Sequence, residues 1–451
     1  MPNSTYDLLI KNANIWTSTP EDPYKIKNFK GDVGVHQGKI AAIEPSINAD
    51  ADEILDLKGL ELCPGFIDTQ VHFREPGLEH KEDLHTGTLG AISGGITGVF
   101  EMPNTSPSTV TEKDFFHKVS RVKDRAHCDV AFYIGACAEN ALDLEELERL
   151  PGCSGVKMFM GSSTGTLLVD EQTVLETVVK SGRRRFAVHC EDETRLNERK
   201  ALLDNPNVSV HDHPKWRDEL TALNATQRII ELCEKYNRSV HILHVTTAQE
   251  MEFLKTKKNI CSVECTPQHL TLFAPDCYDK LGTLAQMNPP IRTRPHQEGL
   301  WAGVHNGTVD IIGSDHAPHT LAEKRDNQYP KTPSGMTGVQ TILPLMLDHV
   351  SNGKLSFEHL MRLMIINPVQ LFKVKSRGYI TVGAEATFTA IDLKKTRTIR
   401  NDWIKSRSGW TPFDGIETTG WPTHAIVRGQ LAMSDQEPVG PAQGQMLEFE
   451  V

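Results

Sequence analysis

No stretch of this 451-residue sequence approaches the roughly 18 consecutive apolar residues that a membrane-crossing helix needs, so no membrane partner is expected. Paired cysteines are also missing. The nine cysteines are an odd number, scattered without a CxxC motif, which argues against a disulfide scaffold or a zinc ribbon. With no apolar signal segment after Met1, they point to a reducing, cytoplasmic setting. Positive charge is in deficit: 48 Lys and Arg against 59 Asp and Glu leave a net charge of −11, without the basic excess that nucleic-acid binding usually requires. A small-molecule partner is expected instead. Aromatic residues are only 6% of the chain, yet with 38% hydrophobic residues there is enough apolar surface for a core, and disorder or a fibrous repeat is excluded.

What is present is a repeated grammar. Eight runs rich in Val, Ile, Phe and Cys, each ending in polar residues, occupy 63–72, 96–104, 129–137, 155–161, 186–191, 239–246, 260–268 and 309–319. Near-continuous apolar runs of this length predict parallel strands buried on both faces. Helical patterns fit at 111–125, 140–150, 171–180, 220–236, 248–255 and 297–305, with Asp170 and Thr247 placed as N-caps. Eight strand-plus-helix units predict an α/β fold of the (β/α)8 TIM-barrel type, since a doubly wound sheet usually has fewer parallel strands. Short β-like runs broken by turn residues flank this region, at 7–10, 31–35, 39–43 and 53–57 and again at 378–382, 386–391, 423–427 and 445–449. The expected organisation is a small composite β-domain from residues 1–62 and 375–451 around a barrel at 63–374.

Catalytic groups of such barrels gather at the C-terminal ends of the strands. There the runs carry Gln70, His72 and Arg74, then Asn104, Lys157, His189, His244, and finally Asp315, His316 and His319. Residues two apart on a strand share a face, so Gln70, His72 and Arg74 reach the same side. Imidazoles from neighbouring strands plus a carboxylate suit Zn2+, which in catalytic sites keeps a position open for water. Taken singly, each histidine reads as a hydrogen-bonded loop residue; together at one barrel mouth they read as a metal site. Lys157 sits in an apolar flank, and from the residues alone its stem snorkels to the barrel mouth.

The stretches 68–77 (DTQVHFREPG) and 313–324 (GSDHAPHTLAEK), with 101–105 (EMPNT) and 288–292 (NPPIR), resemble the dihydroorotases, in the cyclic-amidohydrolase group of the amidohydrolase superfamily. The resemblance implies a zinc-dependent, reversible opening of (S)-dihydroorotate to N-carbamoyl-L-aspartate in pyrimidine biosynthesis. It implies metal ligation by His72, His189, His244 and Asp315, with Lys157 as a carbamate bridging two metals. It also implies that Asp315 carries the proton, that Arg74, Asn104 and His319 hold the substrate carboxylate, and that Asn288 touches the ring.

One position departs from the pattern. The family usually has His where this chain has Gln70, and an amide oxygen is a weaker zinc ligand than imidazole. Three readings stay open: a two-metal site, a one-zinc enzyme, and a non-catalytic homologue serving as a partner subunit. A relative acting on hydantoins, dihydropyrimidines or allantoin is the enzymatic alternative, against which Arg74, Asn104 and His319 speak. By resemblance the assembly expected is a homodimer, with association to a transcarbamoylase left open. The loop at 329–338 is either a lid or an ordinary surface loop; His211 and His213 read as loop histidines, and Cys261 with Cys265 as barrel packing.

Overall fold

A computed structural model describes residues 5–162, 167–326 and 328–450. The extreme ends of the two expected β-segments, residues 1–4 and 451, lie outside the described residues.

All eight central runs form strands of one parallel sheet, in sequence order: Phe66–Val71, Ile96–Glu101, Asp129–Gly135, Cys153–Phe159, Phe186–His189, Val240–Ile242, Cys261–Cys265 and Ile311–Ile312. Every residue in them is buried, as expected for strands covered on both faces. The sheet closes on itself where Val71 bridges His316 and the His72 amide donates to the His316 carbonyl at 2.7 Å. The result is a TIM-type barrel carrying an additional sheet.

Four of the six expected helices form within three residues of the expected bounds, whereas 111–125 is helical only at Glu112–Val119 and 140–150 only at Leu144–Leu147. Thr247 caps its helix as expected: its side chain accepts from the Glu250 amide in a reciprocal capping box. Asp170 does not. The helix Gln172–Ser181 starts one residue later, from Glu171, with no side-chain cap. Both residues are acidic and adjacent, so composition could not choose between them.

The second sheet has nine strands, five from the N-terminal segment and four from the C-terminal one. Its halves join where Glu61–Pro64 pairs antiparallel with Phe388–Thr398. The run expected at 63–72 is therefore two strands in two sheets. Gly65 makes the crossing, and a Cβ there would lie 2.0 Å from Thr97 Oγ1, so the chain turns where only glycine fits. Two expected strands are absent. Residues 378–382 form none, and 445–449 make only isolated bridges, Met446 to Val130 and Phe449 to Val374. The alternation at 445–449 has another use. Leu447 and Phe449 join Phe372 and Val374 in plugging the lower barrel interior against Ile67, Phe100, Tyr133 and Leu243. The apolar half of the barrel is thus closed from below, and its polar side chains collect at the upper mouth.

Candidate active site

The upper mouth holds a cavity of about 20 Å3, lined by Gln70, His72, Arg74, Asn104, Lys157, His189, His244, Asn288 and Asp315 among others. Nine sequence-predicted side chains thus meet at one point. His316 and His319 are the exceptions: His316 turns to Glu82, Nε2 to Oε2 3.3 Å, and His319 stands behind Arg74, with Nε2 3.3 Å from Arg74 Nη2. Lys81 Nζ lies 3.1 Å from His319 Nδ1, so the ring proton belongs on Nε2, which donates to the Ser334 carbonyl at 3.0 Å.

Three site residues hold left-handed backbone: Arg74 at φ 63°, His244 at 37° and Asp315 at 45°. Non-glycine residues rarely adopt this conformation, and it collects at functional sites where the surroundings over-determine it. Each lies just past the end of a barrel strand, where the turn aims its side chain into the mouth.

The donors stand in two pairs on opposite walls. His72 Nε2 lies 3.2 Å from Asp315 Oδ1, across the first and last strands. His189 Nδ1 lies 3.0 Å from His244 Nε2, across the fifth and sixth. Among the described residues no three His, Cys, Asp or Glu side chains close into a metal cluster. The donor chemistry nevertheless fits a cation between the walls. His72 turns its other nitrogen to Asn104 Oδ1 at 2.7 Å, and His189 turns its other nitrogen to Glu191 Oε2 at 2.8 Å, the outer support that ligating histidines usually have. Burial holds His72, His189 and His244 below the ordinary histidine range, which keeps their lone pairs available. Among the described residues three buried atoms of the cavity walls lack any hydrogen-bond partner: Lys157 Nζ, His244 Nδ1 and Gln70 Oε1. Such orphans cost free energy unless something binds there.

Lys157 does not snorkel out. It is fully buried, its Nζ lies 4.4 Å from the Phe159 ring centroid, and burial lowers its pKa to about 7. Gln70 donates from Nε2 to Asp315 Oδ1 at 2.9 Å, fixing the carboxylate.

Several residues of this site escaped sequence reasoning. Glu191 holds His189 and is itself paired with Arg217; its only sequence signal is its place two residues after a strand-end histidine. Glu264 accepts from Thr69 Oγ1 at 2.9 Å inside the barrel, where burial pushes its pKa up to about 8. His213, read as a loop histidine, is buried with Nε2 3.0 Å from Asn288 Oδ1, so it holds a cavity residue in place. His211 keeps the loop reading, with Asp279 3.5 Å away. Cys261 and Cys265 are both buried in the core. Ser334 and Gly335 line the cavity, so the 329–338 loop forms its roof. A Cβ on Gly335 would lie 2.4 Å from the Ala317 carbonyl, which explains the glycine at this close approach.

The sequence matches the amidohydrolase family over residues 62–432. The chain belongs to that family. It is 32% identical to the dihydroorotase of Methanosarcina acetivorans, over 98% of this chain and 95% of the relative. It is 34% identical to the dihydroorotase of Methanothermobacter thermautotrophicus, over 90% and 91%. Among solved structures it resembles an L-hydantoinase from Arthrobacter aurescens, with a TM-score of 0.91 and 25% identity over 98% of this chain and all of the other. Among the described residues no helix of this family member is long and apolar enough to cross a membrane.

Proposed function

We propose that this chain opens and closes the ring of (S)-dihydroorotate, exchanging it with N-carbamoyl-L-aspartate in pyrimidine biosynthesis. The observation that carries the reading is Arg74, a buried guanidinium at the wall of the cavity that also holds the metal-type donors His72, His189, His244 and Asp315. A planar fork there suits a carboxylate, which dihydroorotate carries on its ring and simple hydantoins lack. The dihydroorotases similar over nearly the whole chain support the same choice, while the hydantoinase likeness is one of fold.

His72, His189, His244 and Asp315 would hold zinc, with Lys157 as a further ligand once its amine adds carbon dioxide and releases a proton to become a carbamate. The bound metal would supply Lewis-acid polarisation of the ring amide and a more acidic water. Gln70, with one amide oxygen to offer, favours a single tightly held metal over two. Arg74 and Asn104 orient the carboxylate, His319 backs Arg74, and Asn288 steadies the ring. Asp315, fixed by Gln70 and His72, takes the proton of the attacking water and hands it to the departing ring nitrogen; in reverse it returns it. The cavity of about 20 Å3 holds one water, so the ring enters only as the 329–338 roof moves.

Purified protein with metal analysis and a ring-opening assay tests the proposal. Zinc with turnover of dihydroorotate is expected. Turnover of hydantoin or dihydrouracil alone would assign the chain to the other cyclic-amide hydrolases, and no turnover of any ring would leave a partner subunit. A cytoplasmic homodimer completes the reading, and a monomeric mass by light scattering would remove that part.

A further inference from the structure

At the opposite end of the barrel, where the strands begin, lies a cavity of about 310 Å3, within the size range of small-molecule sites. Among the described residues five cations line it, Arg149, Arg183, Arg184, Arg185 and Lys373, against one carboxylate, Glu450. Glu145 pairs on the rim with Arg149 at 2.9 Å and Arg183 at 3.4 Å. Counting both carboxylates leaves an excess of three positive charges, 5 − 2, in a chain whose net charge is −11.

Two of these guanidinium groups are set by the barrel itself. Arg184 Nη1 donates to the Glu148 carbonyl at 2.6 Å and the Cys153 carbonyl at 2.7 Å, and its guanidinium lies 5.0 Å from the Phe449 ring centroid. Arg185 Nη1 donates to the Val240 carbonyl at 2.9 Å and to Ser262 Oγ at 3.2 Å. Held this way, each leaves a donor over: among the described residues Arg184 Nη2 and Arg185 Nε are buried with no hydrogen-bond partner. Glu148, the nearest buried carboxylate, is committed to the Arg184 amide at 2.9 Å and to Arg238 at 3.0 Å. Nothing in the proposed reaction uses this end of the barrel.

We propose that this lower cavity binds a phosphorylated small molecule carrying two phosphate groups. Pre-positioned guanidinium donors match phosphate oxygens, and an excess of three positive charges exceeds what one monoanion neutralises. The small volume of the cavity and the negative charge elsewhere on the chain favour a small anion over a nucleic-acid strand.

Calorimetry on the intact chain with fructose 1,6-bisphosphate and, separately, inorganic phosphate tests the site. The bisphosphate should bind once per chain, about tenfold tighter than phosphate, and unaltered by saturating dihydroorotate. Arg183 and Lys373 are exposed, so the double variant R183Q/K373Q should fold, keep its ring-opening rate and bind the bisphosphate about tenfold more weakly. No saturable heat up to about 5 mM bisphosphate would overturn the proposal, since that is weaker than a built site gives. So would equal affinity for the two ligands, competition by dihydroorotate, or an unchanged affinity in the double variant.

Discussion

Replacing Arg74 by lysine is the sharpest test of how the cavity selects its substrate. Lysine keeps the charge and meets the same left-handed backbone, φ 63°, with no greater penalty than arginine. What it loses is the fork. One of two charge-assisted hydrogen bonds to the substrate carboxylate goes, a loss of about 1.5–3 kcal/mol. At 1.36 kcal/mol per tenfold, kcat/KM for dihydroorotate should fall about 10- to 150-fold. The Nε bond to the Pro318 carbonyl, 3.1 Å long, is lost as well, so a small drop in thermal stability accompanies the kinetic effect. Dihydrouracil, the same ring without a carboxylate, provides the control. As a competitive inhibitor of R74K it should keep its wild-type inhibition constant. If that constant weakens as much as kcat/KM falls, Arg74 shapes the cavity and does not read the carboxylate; if kcat/KM is unchanged, the carboxylate binds elsewhere.

Asp315→Asn should lower turnover by about 10²- to 10⁴-fold, the usual worth of a positioned proton carrier, while circular dichroism and most of the bound zinc persist. Near-normal rates would reassign the proton. Gln70→His should raise the zinc retained after dialysis against a chelator, because imidazole replaces an amide whose oxygen has no partner; unchanged retention would place that position outside the coordination sphere. Glu219 gives a pH signature away from the site. The His296 hydrogen bond, Nε2 to Oε1 3.5 Å, holds its carboxyl down at about 2, and the Ala248 amide donating to His296 Nδ1 fixes the tautomer that donates. A depressed pKa contributes stability that is fully present above the unfolded value of about 4.3 and disappears as pH falls towards 2. The gap in urea midpoint between wild type and Glu219→Gln should therefore shrink from pH 6 to pH 3, and a constant gap would refute the assignment.

The sequence by itself determined the barrel and most of its mouth. Fully buried strands must be apolar along their whole length, so eight such runs could be counted without coordinates, and the polar residues ending them had one place to go. It also carried the motifs that join the chain to its family. Local pattern could not say that 63–72 changes sheets at Gly65, or that 445–449 plugs the barrel floor, because alternation looks alike whichever surface covers it. The outer supports were invisible for a similar reason: Glu191, Glu264 and His213 act on partners that only folding brings near, as Asn288 is 75 residues from His213. The left-handed backbone at Arg74, His244 and Asp315 and the arginine-lined lower cavity likewise depend on distant strands being fixed side by side. Composition and periodicity record what each residue wants from its neighbours in the chain; which walls face each other across a cavity is set only when the barrel closes.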